Sequence, residues 1–218
     1  MRSQRKTKSI CKKKGREDMS KKILALMMAS VLLLGLLSGC GKKEEDVSEA
    51  EIAEAETYFA DIEIADYGTI TVELDAKSAP ITVENFVNLA KDGFYDGLTF
   101  HRIMYGFMMQ GGDPNGNGTG GSENTITGEF SANGVENPLS HTRGAISMAR
   151  AMDPDSASSQ FFIVHADSEF LDGQYAAFGY VTEGIEIVDA ICEDAMPVDN
   201  NGTILPADQP VITSVTIR

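Results

Sequence analysis

Alternation of apolar and polar positions is the strongest signal in this chain, and it begins at Tyr58. Residues 58–64 and 69–74 alternate with period two around Asp66, Tyr67 and Gly68, which predicts an antiparallel hairpin. Over 80–91 the period lengthens: Val83, Phe86, Val87 and Ala90 fall at helical spacing, Thr82 reads as an N-terminal cap and Gly93 as a stop. Strand-like apolar runs recur at 98–103, 107–110, 145–149, 161–164 and 176–181. A second short helix fits 185–192, and 211–217 alternates as a β-branched terminal strand. Many short strands, two isolated helices and no strand–helix–strand rhythm predict an all-β-dominated fold, a barrel or a sandwich.

Upstream of residue 57 the pattern changes twice. Residues 2–22 are strongly basic, 23–37 carry no charge, and Leu37, Ser38, Gly39 and Cys40 follow. A basic segment, a short apolar run and small residues before a cleavage point predict a signal peptide over 1–40, and the apolar run is shorter than the ~20 residues that span a bilayer. Met19, followed by Ser20, Lys21 and Lys22, makes a conventional start, with residues 1–18 then an upstream extension. Residues 41–56 are Lys, Glu, Asp, Ser and Ala with almost no large apolar side chain, which predicts an acidic tether. The stretch 57–218 suits one domain with its own core.

Charge sharpens this division. Ten of the 18 Lys and Arg but only two of the 33 Asp and Glu lie in 1–40, so the remainder carries 8 − 31 = −23. A field of that sign disfavours nucleic acid and anionic head groups. Of the three cysteines, Cys11 and Cys40 precede the domain and Cys192 stands alone in it, so no internal disulfide is expected there.

Candidate chemistry centres on Arg102, which sits in Phe100, His101, Arg102, Ile103 just before Gly106, Phe107, Met108, Met109, Gln110, Gly111, Gly112. A guanidinium is a poor base and a good fixed donor, so an arginine and an amide beside aromatic and thioether side chains suit polarising a peptide, not cleaving it. Other motifs fail on inspection. Asp113, Asn115, Asn117 and Gly118 begin like a calcium loop, but its twelfth position is Asn124, not glutamate. The glycine-rich stretch lacks Gly-Lys-Ser/Thr, the three histidines have no metal spacing, and Ser147 fails the Gly-x-Ser-x-Gly pattern. No metal or cofactor is called for.

Several blocks in order, 95–102 (YDGLTFHR), 106–112 (GFMMQGG), 118–121 (GTGG), 145–149 (AISMA), 159–163 (SQFFI) and 171–179 (LDGQYAAFG), resemble the cyclophilins, the peptidyl-prolyl cis-trans isomerases. The resemblance covers essentially all of 57–218. It implies a closed antiparallel β-barrel capped by two helices. Arg102 would be the catalytic arginine, Phe107, Met108, Phe162 and Leu171 the proline pocket, and Gln110 the amide that binds substrate backbone and buttresses Arg102. Ala149, Gln160 and the Gly118 loop would line the adjoining groove, with His101 at its rim. Phe170 stands where many members carry tryptophan and Tyr175 where they often carry histidine, substitutions shared by bacterial members. Arg150 stands at a frequent asparagine. The sequence around Cys40 is similar to the lipobox of bacterial lipoproteins, in which that cysteine is acylated and anchors the chain to the bilayer.

Together these readings predict a monomeric, extracytoplasmic, lipid-anchored prolyl isomerase that acts on proline-containing unfolded or exported polypeptides. The alternative is a module that binds such peptides in the same groove without significant turnover.

Overall fold

A computed structural model of the chain describes residues 57–218. The expected signal peptide, the acylation site at Cys40 and the tether over 41–56 lie outside the described residues. The hairpin forms as its alternation requires, β1 (Thr57–Ile64) pairing antiparallel with β2 (Gly68–Asp75). Its turn is tight because Asp66 and Gly68 both adopt positive φ, 66° and 117°.

Helix α1 (Pro80–Lys91) buries Val83, Phe86, Val87 and Ala90 on one side, as the spacing predicts. Its cap differs from the expectation. Thr82 is itself buried inside the first turn, and the buried carboxylate of Glu129 does the capping: it accepts the N–H groups of Ile81 (3.0 Å) and Thr82 (2.8 Å) and the Thr82 hydroxyl (2.7 Å). A carboxylate here satisfies orphan donors and meets the positive end of the helix dipole.

The remaining strands are β3 (Thr99–Met104), β4 (Met108–Asp113), β5 (Ala145–Met148), β6 (Phe161–Val164), β7 (Ala176–Glu183) and β8 (Ile212–Ile217), with α2 (Ile185–Asp194) between β7 and β8. They form one eight-stranded sheet in the order β3-β4-β6-β5-β7-β2-β1-β8, with antiparallel neighbours. Helix α1 packs on β2, β7 and β8, and α2 on β2 and β4. Phe86 of α1 meets the rings of Tyr95, Phe161 and Phe178 at 5.1, 5.5 and 5.4 Å in the main core.

The expectation of a closed barrel is corrected: the sheet is curled but open. β3 and β8 share no ladder and meet only near residue 99, through the isolated bridge Thr99–Val211 and flanking backbone bonds. Pro210 has no N–H to extend the pairing. Farther along β3 the preceding loop covers the edge instead, Ile103 donating to the Gly202 carbonyl (2.8 Å) and Ile204 to the His101 carbonyl (3.0 Å).

Candidate active site

Strand register places Arg102 opposite Gln110, Gln110 opposite Phe162, and Phe162 opposite Ser147, a row running across β3, β4, β6 and β5. Residues directly opposite share a face of the sheet. Here it is the outer face, because the chain neighbours Ile103, Met109, Ile163 and Ile146 all belong to the inner core. A second, smaller apolar cluster of Met108, Ala145, Phe162, Val164 and Leu171 lies on that outer side. This explains why β6 reads as an unbroken apolar run and why β5 is buried throughout: both of their faces are covered.

A cavity of about 320 Å³ opens on this row. Phe107, Met108, Phe162, Leu171 and Tyr175 supply its apolar walls, and Arg102, Gln110, Ala149 and Arg150 the rest. Gln110, Ala149 and Arg150 also line a second cavity of about 350 Å³, bordered by Gly118, Gln160 and the Thr119–Ser122 loop, so the two adjoin as halves of one groove. Volumes of this order suit a peptide side chain or small ring in each half.

Arg102 is held rather than free. Its Nε donates to the Asn201 carbonyl (2.8 Å) and Nη1 to Gln110 Oε1 (3.2 Å). Gln110 Nε2 donates to Gln160 Oε1 (2.9 Å), and Gln160 Nε2 to the Gly120 carbonyl (2.7 Å). This relay fixes the Gln110 carbonyl towards the guanidinium. The other guanidinium contacts are to sulfur: Nη1 lies 3.7 Å from Met108 Sδ and Nη2 3.2 Å from Met104 Sδ. Thioethers are weak acceptors, so these donors are easily taken over by a carbonyl oxygen. Burial lowers the Arg102 pKa from its ordinary value, against the opposing pull of Tyr175 and Asp199, and the group remains a cation at neutral pH.

Two expected site residues do not line either cavity. His101 is the extra residue of a β-bulge between Phe100 and Arg102, which turns it away from the rim into the interior beneath Gly118, with both ring nitrogens unpartnered. Phe170 is 67% exposed and outside the cavity lining, where its ring packs on Phe107 at 5.6 Å. Asn201 and Met104 were absent from the expected set. A backbone carbonyl carries no residue signature, and Asn201 could be suspected only from the Asn-Gly turn that Asp199 shapes by accepting the N–H groups of Asn201 and Thr203. Asp113, the first residue of the calcium-like loop, accepts the N–H groups of Asn115, Asn117 and Gly118.

Behind Phe162 lies a polar chain that runs from the exposed Asp172 to the buried His141 and Ser147. His141 stacks on the Phe162 ring at 5.9 Å, its Nδ1 bonds Asp172 Oδ1 at 2.7 Å and its Nε2 bonds Ser147 Oγ at 2.9 Å. Ser147 is fully buried, so no substrate reaches it and the three residues serve to seat Phe162. Burial lowers the pKa of His141, with Asp172 opposing, and likewise that of His101, with Asp113 opposing. Below the ordinary 6.5 the unfolded chain therefore binds more protons than the folded one. Stability is full above that value and falls as the pH drops through the window beneath it. Urea midpoints should be lower at pH ~5.5 than at pH ~7.5; equal or rising midpoints would contradict the assignment.

Comparison with known proteins converges on one family. The model described as cyclophilin type peptidyl-prolyl cis-trans isomerase/CLD matches residues 59–217. A peptidyl-prolyl cis-trans isomerase of Helicobacter pylori (strain J99) is 46% identical over 151 residues, covering 68% of this chain and 88% of that protein. Peptidyl-prolyl cis-trans isomerase B of Bacillus subtilis is 50% identical over 123 residues, covering 56% of this chain and 82% of that protein. A crystal structure of a Cryptosporidium parvum cyclophilin-type isomerase in the presence of the dipeptide Ala-Pro superposes with a TM-score of 0.65 at 30% identity, over 73% of this chain and 98% of that one. With its curled sheet, its two helices and a match spanning nearly the whole described domain, the chain belongs to the cyclophilin-type peptidyl-prolyl cis-trans isomerases.

Proposed function

We propose that this isomerase works outside the cytoplasmic membrane as a monomer, held there by an acyl anchor on Cys40, and that its substrates are unfolded or newly exported polypeptides. Rotation about an X-Pro bond is slow because amide resonance sets a barrier of ~18–20 kcal/mol. Unassisted exchange takes roughly tens to hundreds of seconds, long enough to limit folding. No covalent intermediate is required. The apolar walls formed by Phe107, Met108, Phe162 and Leu171 take the pyrrolidine ring, while Gln110 holds the flanking backbone. Arg102 then donates to the substrate carbonyl and towards the prolyl nitrogen, whose lone pair emerges as the amide twists. Donors that engage the twisted amide better than the planar one lower the barrier. The bond network that holds Arg102 supports this role: its anchored Nε and Nη1 fix the plane, while contacts to two thioethers are exchanged for substrate oxygen.

The location rests on the segment 2–40, whose basic, apolar and small-residue stretches end at Cys40. Export delivers chains unfolded, which places proline isomerisation among their slow steps. Two measurements test the proposal. The fragment 57–218 should accelerate the slow refolding phase of an exported protein in catalytic amounts, and Cys40→Ala should move the full chain from the membrane fraction to the soluble fraction. A slow phase untouched by the fragment would overturn the substrate assignment, and a Cys40→Ala protein that still sediments with membranes would overturn the anchor.

A further inference from the structure

We infer that Arg150 is a specificity-determining residue that makes this groove favour prolyl segments with a carboxylate on the residue next to proline over segments with an ammonium there. The inference rests on the isomerase reading of the same groove. Over 57–218 the chain carries 24 Asp and Glu against six Lys and Arg, yet the linings of the two cavities include two arginines and no carboxylate. Among the described arginines, Arg143 and Arg218 are neutralised at 2.7 Å by Asp189 and Asp61. Arg102 and Arg150 are not.

Arg150 is also held in place. Its guanidinium lies 5.0 Å from the Phe130 ring centroid and 4.8 Å from that of Tyr175, a cation–π contact with each. Its Nε and Nη2 donate to the Gln174 carbonyl (3.1 and 2.8 Å) and its Nη1 to the Ala151 carbonyl (2.9 Å). All these partners are neutral, so the positive charge stands uncompensated. A guanidinium has five N–H donors, which leaves two for a substrate. Arg150 lines both cavities, so it stands where a chain with its proline in the first passes into the second. The nearest carboxylates in sequence, Asp153 and Asp155, line neither cavity and accept N–H groups of the protein, Asp153 from Asp155 and Asp155 from Gly128 and Asn133. A fixed charge in a half-enclosed groove acts on a neighbouring charge more strongly than one in open solvent.

The test compares kcat/KM for isomerisation of Ala-Xaa-Pro-Phe and Ala-Pro-Xaa-Phe tetrapeptides, with Xaa as Glu, Ala or Lys. In one of the two series Glu should exceed Lys by roughly tenfold at low ionic strength, and the ratio should shrink as salt is added. Arg150→Gln should cut that ratio by roughly fivefold, and Arg150→Lys should retain most of it. Equal rates for Glu and Lys in both series of the unmodified protein overturn the inference, whatever the variants do. So does a ratio that survives intact in Arg150→Gln, since Arg102 alone would then account for it. Absence of turnover on the alanine peptides would instead sink the isomerase reading, so the two failures are distinguishable.

Discussion

Arg102→Ala is expected to lower kcat/KM for prolyl isomerisation by roughly 10²–10³, the loss seen when one preorganised donor is removed from a developing charge. Each tenfold corresponds to ~1.4 kcal/mol of transition-state stabilisation. The measurement is a protease-coupled or NMR exchange assay on a proline tetrapeptide, paired with a peptide titration. Turnover should collapse while affinity for the planar ground state changes little, because the ring-binding walls stay intact. Arg102→Lys keeps the charge but loses the planar fork that spans Asn201, Gln110 and the thioethers, so it should remain at least about tenfold impaired. If Arg102→Ala turned over like the unmodified protein, Arg102 would not be the catalytic group. A fall in affinity as large as the fall in rate would favour a peptide-binding role for this residue.

The largest expected effect on stability is at Phe86. Its ring is fully buried on α1 and contacts three aromatic rings, those of Tyr95, Phe161 and Phe178. Removing it leaves a void that neighbours from three separate elements cannot fill together, so Phe86→Ala should cost about 3–5 kcal/mol. Against a total of roughly 5–15 kcal/mol, that is enough to bring the domain near the edge of folding. The one cysteine among the described residues, Cys192, is free and buried, so no disulfide offsets the loss. Thermal unfolding should shift down by roughly 10 °C. Phe86→Leu should recover more than half of the loss. A shift of only a degree or two for alanine would mean that the aromatic cluster collapses around the gap, contrary to the packing described.

How far the chain's pattern reveals its structure depends on whether a feature is local. The hairpin and both helices are legible because their partners lie within one period of the pattern, and the pairing of β1 with β2 follows from the turn alone. The runs at 145–149 and 161–164 are legible as strands, but without polar–apolar alternation they do not say which face is which. Full closure was the wrong inference because the meeting of the two end strands is decided by the 196–210 loop, which has no periodicity to read. The same distinction governs the site. Arg102 and Gln110 are close in sequence and stand opposite each other in a two-strand register, so their partnership is readable. The carbonyl of Asn201 is 99 residues away and could belong to any residue type. The burial of His101 is not readable from the pattern, because the extra residue in β3 breaks the alternation there.

The transverse row lies on the outside of the sheet, and this decides what kind of client the groove can serve. A pocket inside a barrel would admit a polypeptide only by its end, or only a short piece of it. A furrow on the external wall needs neither terminus, so a proline deep in the middle of a long strand is as reachable as one in a tetrapeptide. Such a furrow can engage a long chain anywhere along its length, release it sideways, and take hold of it again at the next proline.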